Sequence, residues 1–234
     1  MFDQAIFLDA LLGWPLLRGA LVALGLAVLV QGAGLALSLP LATARRRGTR
    51  ALVAGYVWVF RGTPVLLVLL MTWNGLPQLL PALRADWYTP FLAAFLALLL
   101  VQVAYLSEVM RAALGAVPAG QGEAAAALGL RPRHAFRLVV LPQALRVAVP
   151  PLANEFISLL KSTSLASVIS LRELMTVTGY AIASTFRFLE WYAAALVYYL
   201  AMVGVLSLLQ AQIERRLRGA GRTPGTAPQV RPTA

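Results

Sequence analysis

One stretch in the second half of the chain carries the polar side chains best suited to bind a small polar solute. Its members follow a spacing of i, i+4, i+7 and i+8, and they are Asn154, Ser158, Lys161 and Ser162. That spacing puts them on one face of a helix, with Glu155 beside it. Polar and charged groups are costly to bury among apolar neighbours, so this face predicts a cavity or a partner surface. Lys161 is suited to hold a carboxylate of the solute, and Glu155 a cationic group.

The same residues also fit structural roles, and the sequence leaves both interpretations open. Lys161 could instead bond backbone carbonyls where the helix breaks, or extend its amine to a polar interface. Ser164 could line the same pathway, or it could only satisfy the backbone of a broken helix.

A second set of polar residues lies in the apolar run that precedes this stretch. Gln102, Tyr105 and Glu108 follow one another at intervals of three and drift slowly around one helix face. We expect Gln102 and Tyr105 to line the pathway. Glu108 is also a candidate, but its spacing favours a structural ion pair with Arg111 at i+3.

Arg61 introduces a predicted break in the chain, Arg61-Gly62-Thr63-Pro64. Proline disfavours helix at the residue before it, so the helix is expected to end at Thr63. Arg61 would then lie near the membrane interface, as an anchor or as a gate residue.

The elements that carry these residues are those of an all-α membrane protein. The 234 residues are 60% hydrophobic and 12% charged, with a mean hydropathy of +0.76. Uncharged runs such as Ala20 to Leu41 match the roughly 20 residues that cross a bilayer as a helix, and they lack the alternation of a transmembrane barrel. With no cysteine and only His134, neither a disulfide nor a multi-histidine metal site is possible.

Five spans are predicted, at about residues 16–39, 63–80, 91–114, 150–171 and 189–213. Residues 1–15 form an external interfacial segment, and 172–188 an external loop. Arginines cluster in Thr43 to Arg50, between the first two spans, and the positive-inside rule places that loop in the cytoplasm. The N-terminus is then outside and the C-terminus inside, and residues 215–234 are expected to be a disordered cytoplasmic tail because they lack apolar content.

Between the third and fourth spans, residues 120–142 predict a helical hairpin. Its first helix is expected from about Gly122 to Leu128, and Gly129 suits the left-handed position that closes it. Pro132 fits the first turn of a second helix, which Pro142 would interrupt or redirect. A DNA-binding helix-turn-helix has a similar outline, but apolar spans on both sides leave no soluble core to carry one.

Ordered motifs from about residue 17 to 213 resemble one family, the permeases of ATP-binding-cassette (ABC) importers, in their polar amino acid subfamily. The hairpin resembles the EAA loop of that family. The motifs that carry the resemblance are Arg61-Gly62-Thr63-Pro64, Gln121-Gly122-Glu123-Ala124-Ala125 followed by Gly129, Leu141-Pro142-Gln143, Pro150-Pro151-Leu152, and Leu160-Lys161 with Thr163-Ser164-Leu165.

The resemblance implies a type I ABC importer transmembrane fold over residues 16–214, with a coupling loop at about 115–142. Two permease subunits, identical or related, would pair in a bacterial inner membrane. A cytoplasmic ABC ATPase dimer would bind the EAA loops, and an external binding protein would deliver a polar amino acid. The positions that match the family's coupling residues are Glu123, Ala124, Ala125, Gly129 and Arg131.

The chain lacks the sequence needed to hydrolyse ATP. A phosphate-binding loop ends in Gly-Lys-Ser or Gly-Lys-Thr, and the only lysine, Lys161, follows Leu160. We therefore expect no enzyme activity and no cofactor on this chain, with ATP and Mg²⁺ on a partner. Two alternatives remain: the same fold importing another small zwitterion or an organic acid, and an ion-coupled secondary transporter.

Overall fold

The apolar stretches of the chain fold as helices in the computed structural model, which describes residues 2–44 and 46–219 and contains no strand within those ranges. In chain order the helices are α1 (Gln4–Leu12), α2 (Trp14–Ala42), α3 (Arg47–Gly62), α4 (Val65–Leu70), α5 (Leu76–Leu79), α6 (Pro90–Gly115), α7 (Ala119–Ala127), α8 (Pro132–Ala135), α9 (Leu141–Ser162), α10 (Leu174–Thr185) and α11 (Phe188–Gly219). A π-helical turn, Met71–Gly75, joins α4 to α5, and another, Phe136–Val140, joins α8 to α9. Thr163–Ile169 continues α9 as a 3₁₀ helix.

Four helical stretches are long and apolar enough to cross a membrane, and a bent pair of helices makes a fifth. The four are Trp14–Ala42, Pro90–Gly115, Pro132–Ile169 and Phe188–Leu217. The bent pair is Arg47–Gly62 with Val65–Leu79, at an angle of 102°. The prediction of an all-α membrane protein with about five spans is therefore confirmed.

The bend lies at Thr63 and Pro64, as predicted. Thr63 takes an extended conformation (φ −96°, ψ 132°), because the ring of Pro64 crowds the helical one. The Thr63 hydroxyl donates to the Val59 carbonyl at 2.7 Å and closes the end of α3. Before the bend α3 packs along α6, and the Tyr56 hydroxyl donates to the Leu100 carbonyl at 2.5 Å.

Helices continue through prolines at which the sequence predicted an end or an interruption. α2 continues through Pro40 to Ala42, three residues past the predicted end. The predicted interruption or redirection at Pro142 takes the form of a π-helical turn just before it: the Leu141 amide donates to the Phe136 carbonyl, and Pro142 is the second residue of α9. The fourth apolar stretch therefore starts at Pro132, well before the predicted residue 150.

The prediction of a loop at residues 172–188 is wrong, because most of that stretch is helix α10; its external placement stays a prediction. Glu173 caps this helix, and its carboxylate accepts from the amides of Met175 and Thr176 at 3.0 and 2.8 Å. The Glu173 side chain is completely buried, and burial raises its pKa. Helix α2 approaches α10 closely here, since a Cβ on Gly19 would lie 2.9 Å from Leu174 Cα.

Both ends of the described chain are packed helices. α1 occupies most of the predicted interfacial segment and lies against α11: the Asp3 amide donates to Glu190 at 3.0 Å, and the Tyr198 hydroxyl to the Leu11 carbonyl at 2.8 Å. α11 extends to Gly219, five residues into the stretch assigned to the tail. The rest of that stretch, 220–234, lies outside the described residues.

The main core forms where α2, α6 and the end of α9 meet. Its completely buried members include Leu26, Val30, Ala97 and Leu160. A Cβ on Gly34 would lie 2.9 Å from Leu106 Cδ1, so this glycine lets α2 approach α6 closely, as small residues do between membrane helices. The packing fixes α6 against α9, and the polar residues predicted from sequence lie between them.

Candidate functional site

A cavity of about 290 Å³ opens between α6, α9 and the start of α4. Its walls are Val65, Leu98, Val101, Gln102, Tyr105, Glu155, Ser158, Leu159 and Ser162. Five of these are residues predicted from the sequence to line a pathway, two on α6 and three on α9. The other four are apolar, so the cavity combines an apolar wall with a few polar groups, as small-molecule sites do.

A buried pair of amides fixes one wall of the cavity. Gln102 is 4% exposed, and its Nε2 donates to Oε1 of Gln31 on α2 at 2.9 Å. Gln31 is 8% exposed and donates in turn to the Leu152 carbonyl of α9 at 3.4 Å. The pair therefore joins the three helices that form the core. The sequence analysis missed Gln31, although an uncharged amide within a long apolar run was a usable signal.

Only part of the polar face predicted on α9 reaches this cavity. An α-helix turns by about 100° per residue, so Ser158, Ser162 and Glu155 lie within about 60° of one another. Asn154 and Lys161 lie on the other side of Ser158. Asn154 accepts from Gln210 of α11 at 3.3 Å, and Lys161 is exposed outside the cavity wall. The structure thus divides the predicted face into a cavity side and a side toward α11.

The hydroxyls at the end of α9 also bond to their own backbone. Ser162 donates to the Ser158 carbonyl at 2.9 Å, and Ser164 to the Lys161 carbonyl at 2.7 Å. Ser164 is thus engaged in the way predicted for a serine that satisfies a broken helix.

A charged cluster adjoins the cavity where α3 bends. Nε of Arg111 donates to Oε1 of Glu108 at 3.0 Å, which is the i+3 pair predicted from the sequence. Nη1 of Arg61 lies 3.8 Å from Oε2 of the same glutamate. The Arg61 guanidinium also lies 5.3 Å above the ring of Tyr105, a cavity residue, which is within cation–π range. Arg61 therefore links the end of α3 to both the charged cluster and the cavity wall.

The hairpin forms as predicted, with a helix start three residues earlier, at Ala119. Gly129 adopts φ +77°, and its amide bonds to the Ala126 carbonyl at 2.9 Å while that of Leu130 bonds to Ala125 at 3.1 Å. These two bonds are the Schellman motif, which closes a helix with a left-handed residue. Arg131, in an extended conformation, occupies the N-cap position of α8 and bonds to that helix through its backbone carbonyl alone.

The hairpin leaves most of its first helix uncovered. Glu123 and Ala124 are exposed, whereas Ala125 is buried. Leu128 is 83% exposed. A bond from Gln143 to Oε1 of Gln121, at 3.1 Å, ties this helix to α9. The sequence analysis missed that link, which connects the hairpin to the helix lining the cavity.

No metal centre is evident in the described part of the chain. Within residues 2–44 and 46–219, no three side chains of His, Cys, Asp or Glu come together in a group that could hold an ion.

Comparisons with known proteins give a consistent result. Residues 34–219 match the family model of the binding-protein-dependent transport system inner membrane component. The octopine transport system permease protein OccM of Rhizobium meliloti is 41% identical over 207 residues, which are 85% of this chain and 84% of that protein. The glutamine transport system permease protein GlnP of Escherichia coli (strain K12) is 36% identical over 212 residues, 88% of this chain and 95% of that one. A crystal structure of an amino acid ABC transporter with histidines superposes with a TM-score of 0.78 at 33% identity, covering 86% of this chain and 94% of the other.

Proposed function

The chain belongs to the family of binding-protein-dependent transport system inner membrane components, and from that premise we propose that it conducts polar amino acids through the cavity between α6 and α9. Such a component is the permease of an ABC transporter and not its ATP-hydrolysing subunit. The family also implies a separate ATPase and a binding protein as partners.

The cavity is the observation that carries the cargo proposal. Its 290 Å³ suit a molecule the size of an amino acid, and Gln102, Tyr105 and Ser158 offer both donors and acceptors. Glu155 is the acidic group in its wall, suited to a cationic nitrogen of the cargo. Arg61, stacked over Tyr105, is placed to attract the cargo's carboxylate. The relatives are named for the transport of octopine and of glutamine, which supports the same class of cargo.

We assign the coupling of ATP hydrolysis to the hairpin. The exposed Glu123 and Ala124, with Leu128 beside them, form a surface that a soluble ATPase could cover, and alanines permit close approach of the partner. Gly129 and Arg131 fix the turn that presents this surface, and Ala125 packs it against the rest of the chain. Movement of the hairpin would reach the cavity through Gln121, Gln143 and α9.

The arrangement in the membrane follows from this assignment. The hairpin and the C-terminus lie in the cytoplasm with the ATPase, which holds ATP and Mg²⁺, and the N-terminus lies outside with the binding protein. A second permease subunit, identical or related, pairs with this one. Arg61, Glu108 and Arg111 then lie toward the cytoplasmic end of the pathway, where their contacts support a gate.

Reconstitution into proteoliposomes tests the function. We expect concentrative uptake of radiolabelled polar amino acids when the chain is combined with its ATPase and binding protein and supplied with ATP. Omitting the ATPase should abolish that uptake. Concentrative uptake by the chain alone, driven by an ion gradient and indifferent to ATP, would identify a secondary transporter instead.

A further inference from the structure

A second cavity, of about 540 Å³, lies at the end of the bundle far from the hairpin. Phe91, at the start of α6, forms part of its wall, and α6 leads to the hairpin only after a rise of about 36 Å at 1.5 Å per residue. Most of the wall is apolar and comes from α2, α6, α10 and the short segment before α10, including Val22, Leu171 and Val177. The proposed transport pathway uses none of these residues.

Two aromatic side chains indicate that the cavity opens at the level of the lipid headgroups. Trp14, the first residue of α2, is 65% exposed, and Tyr180 of α10 is 55% exposed, and both line the cavity. Tryptophan and tyrosine concentrate where a bilayer meets water. An apolar wall beside such a pair suits the depth at which acyl chains begin.

Two arginines at the cavity have no counter-ion among the described residues of the chain. Arg18 and Arg172 both line it and both are exposed, and within the described residues neither makes a side-chain hydrogen bond or an ion pair. Their backbones are neighbours, because Gly19 packs directly on Glu173 and Leu174. The acidic residue that follows Arg172, Glu173, is buried, and its carboxylate accepts from the amides of Met175 and Thr176. The two positive charges therefore face the cavity mouth together.

We propose that this cavity binds one anionic phospholipid. The phosphate would lie between Arg18 and Arg172, since a guanidinium pairs well with phosphate oxygens. An acyl chain would enter along Val22, Phe91 and Leu171. The volume lies within the range of small-molecule sites, about 300 to 1,000 Å³, and the placement at the interface distinguishes a lipid from a solute.

Native mass spectrometry of the full chain tests the proposal, with phosphatidylglycerol and phosphatidylcholine as probes at equal concentration. We expect preferential retention of one phosphatidylglycerol. Arg18→Gln and Arg172→Gln should each reduce that retention about five-fold, and the two together on the order of 25-fold. These factors correspond to the attraction that one basic residue usually has for an anionic lipid surface. Arg84→Gln is the matched control, because Arg84 is exposed elsewhere and donates to the Pro77 carbonyl. It should leave retention unchanged.

Two further variants and a competition with inorganic phosphate separate a lipid site from other sources of the same chemistry. Val22→Phe fills the apolar part without changing charge, and it should reduce retention of the lipid. Arg18→Lys combined with Arg172→Lys keeps both charges and should retain most of the binding. This double variant still tests the role of the charges if the glutamine variants fail to fold. Equal retention of the two lipids would overturn the proposal. So would displacement of phosphatidylglycerol by millimolar inorganic phosphate, because the apolar part of the cavity would then contribute nothing.

Discussion

The buried amide pair Gln31 and Gln102 offers a prediction whose magnitude follows from the structure. Gln31→Leu removes the acceptor that Gln102 Nε2 now contacts at 2.9 Å, where both side chains are almost fully buried. Leaving a buried donor without a partner costs about 1–3 kcal/mol. That lowers the ratio of folded to unfolded protein by about 5- to 150-fold, at 1.4 kcal/mol for each factor of ten. Gln102→Leu should cost a similar amount, because it leaves Gln31 with only its longer bond to Leu152.

The double variant separates the structural role of the pair from its role in transport. Replacing both amides by leucine leaves no unpaired polar group, so most of the stability should return. Transport should not return, because Gln102 is a polar contact of the proposed pathway.

Chemical unfolding of the purified chain in detergent micelles measures the first effect, and uptake in proteoliposomes with the partner subunits measures the second. Gln78→Leu is the control, since Gln78 is exposed and should change stability by less than about 0.5 kcal/mol. If the double variant cost the sum of the two single variants, the coupling inferred from the hydrogen bond would be refuted. Recovery of transport in the double variant would remove Gln102 from the pathway.

Other residues give three further predictions. Gly129→Val should weaken ATPase association in a pull-down, because a branched side chain at φ +77° is strained by about 1–2 kcal/mol, whereas Gly129→Asn should be tolerated. Glu155→Gln should reduce the uptake of amino acids with a cationic side chain more than that of neutral ones, as measured by competition with a radiolabelled cargo. Burial raises the pKa of Glu173, so the folded protein retains a proton that the unfolded chain releases. The contribution of Glu173 to folding stability is therefore fully present below the ordinary glutamate pKa of about 4.3, and it is lost as pH rises through the raised pKa. Thermal unfolding at a series of pH values should show that decline in stability, and Glu173→Gln should flatten it.

Local sequence signals predicted the elements whose cause is local. Thr63-Pro64 indicated the bend, since proline restricts the residue before it. Gly129 with Leu130 indicated the closure of α7, because the Schellman motif needs a left-handed residue at a fixed position. The i+3 spacing of Glu108 and Arg111 indicated their ion pair.

Contacts between distant parts of the chain could not be predicted in the same way. Gln31 and Gln102 are 71 positions apart, and only the packing of α2 on α6 brings them together. The division of the α9 face into a cavity side and a side toward Gln210 likewise depends on where α11 lies. Helix α10 was missed because its cap, Glu173, is buried by α2 and α11, and its sequence carries no apolar run long enough to mark it.

Charge reversal on the hairpin tests the central claim, that a partner ATPase acts on this permease through α7. Glu123→Lys changes one exposed side chain on the proposed docking surface, and Asp86→Lys makes the same change on an exposed loop outside the hairpin. Both variants should insert in the membrane at the normal level. We measure ATP-dependent uptake together with co-purification of the ATPase. Both should fall at least ten-fold in Glu123→Lys, which corresponds to about 1.4 kcal/mol of lost association free energy. Both should stay normal in Asp86→Lys. Normal uptake and normal association in Glu123→Lys would contradict the account.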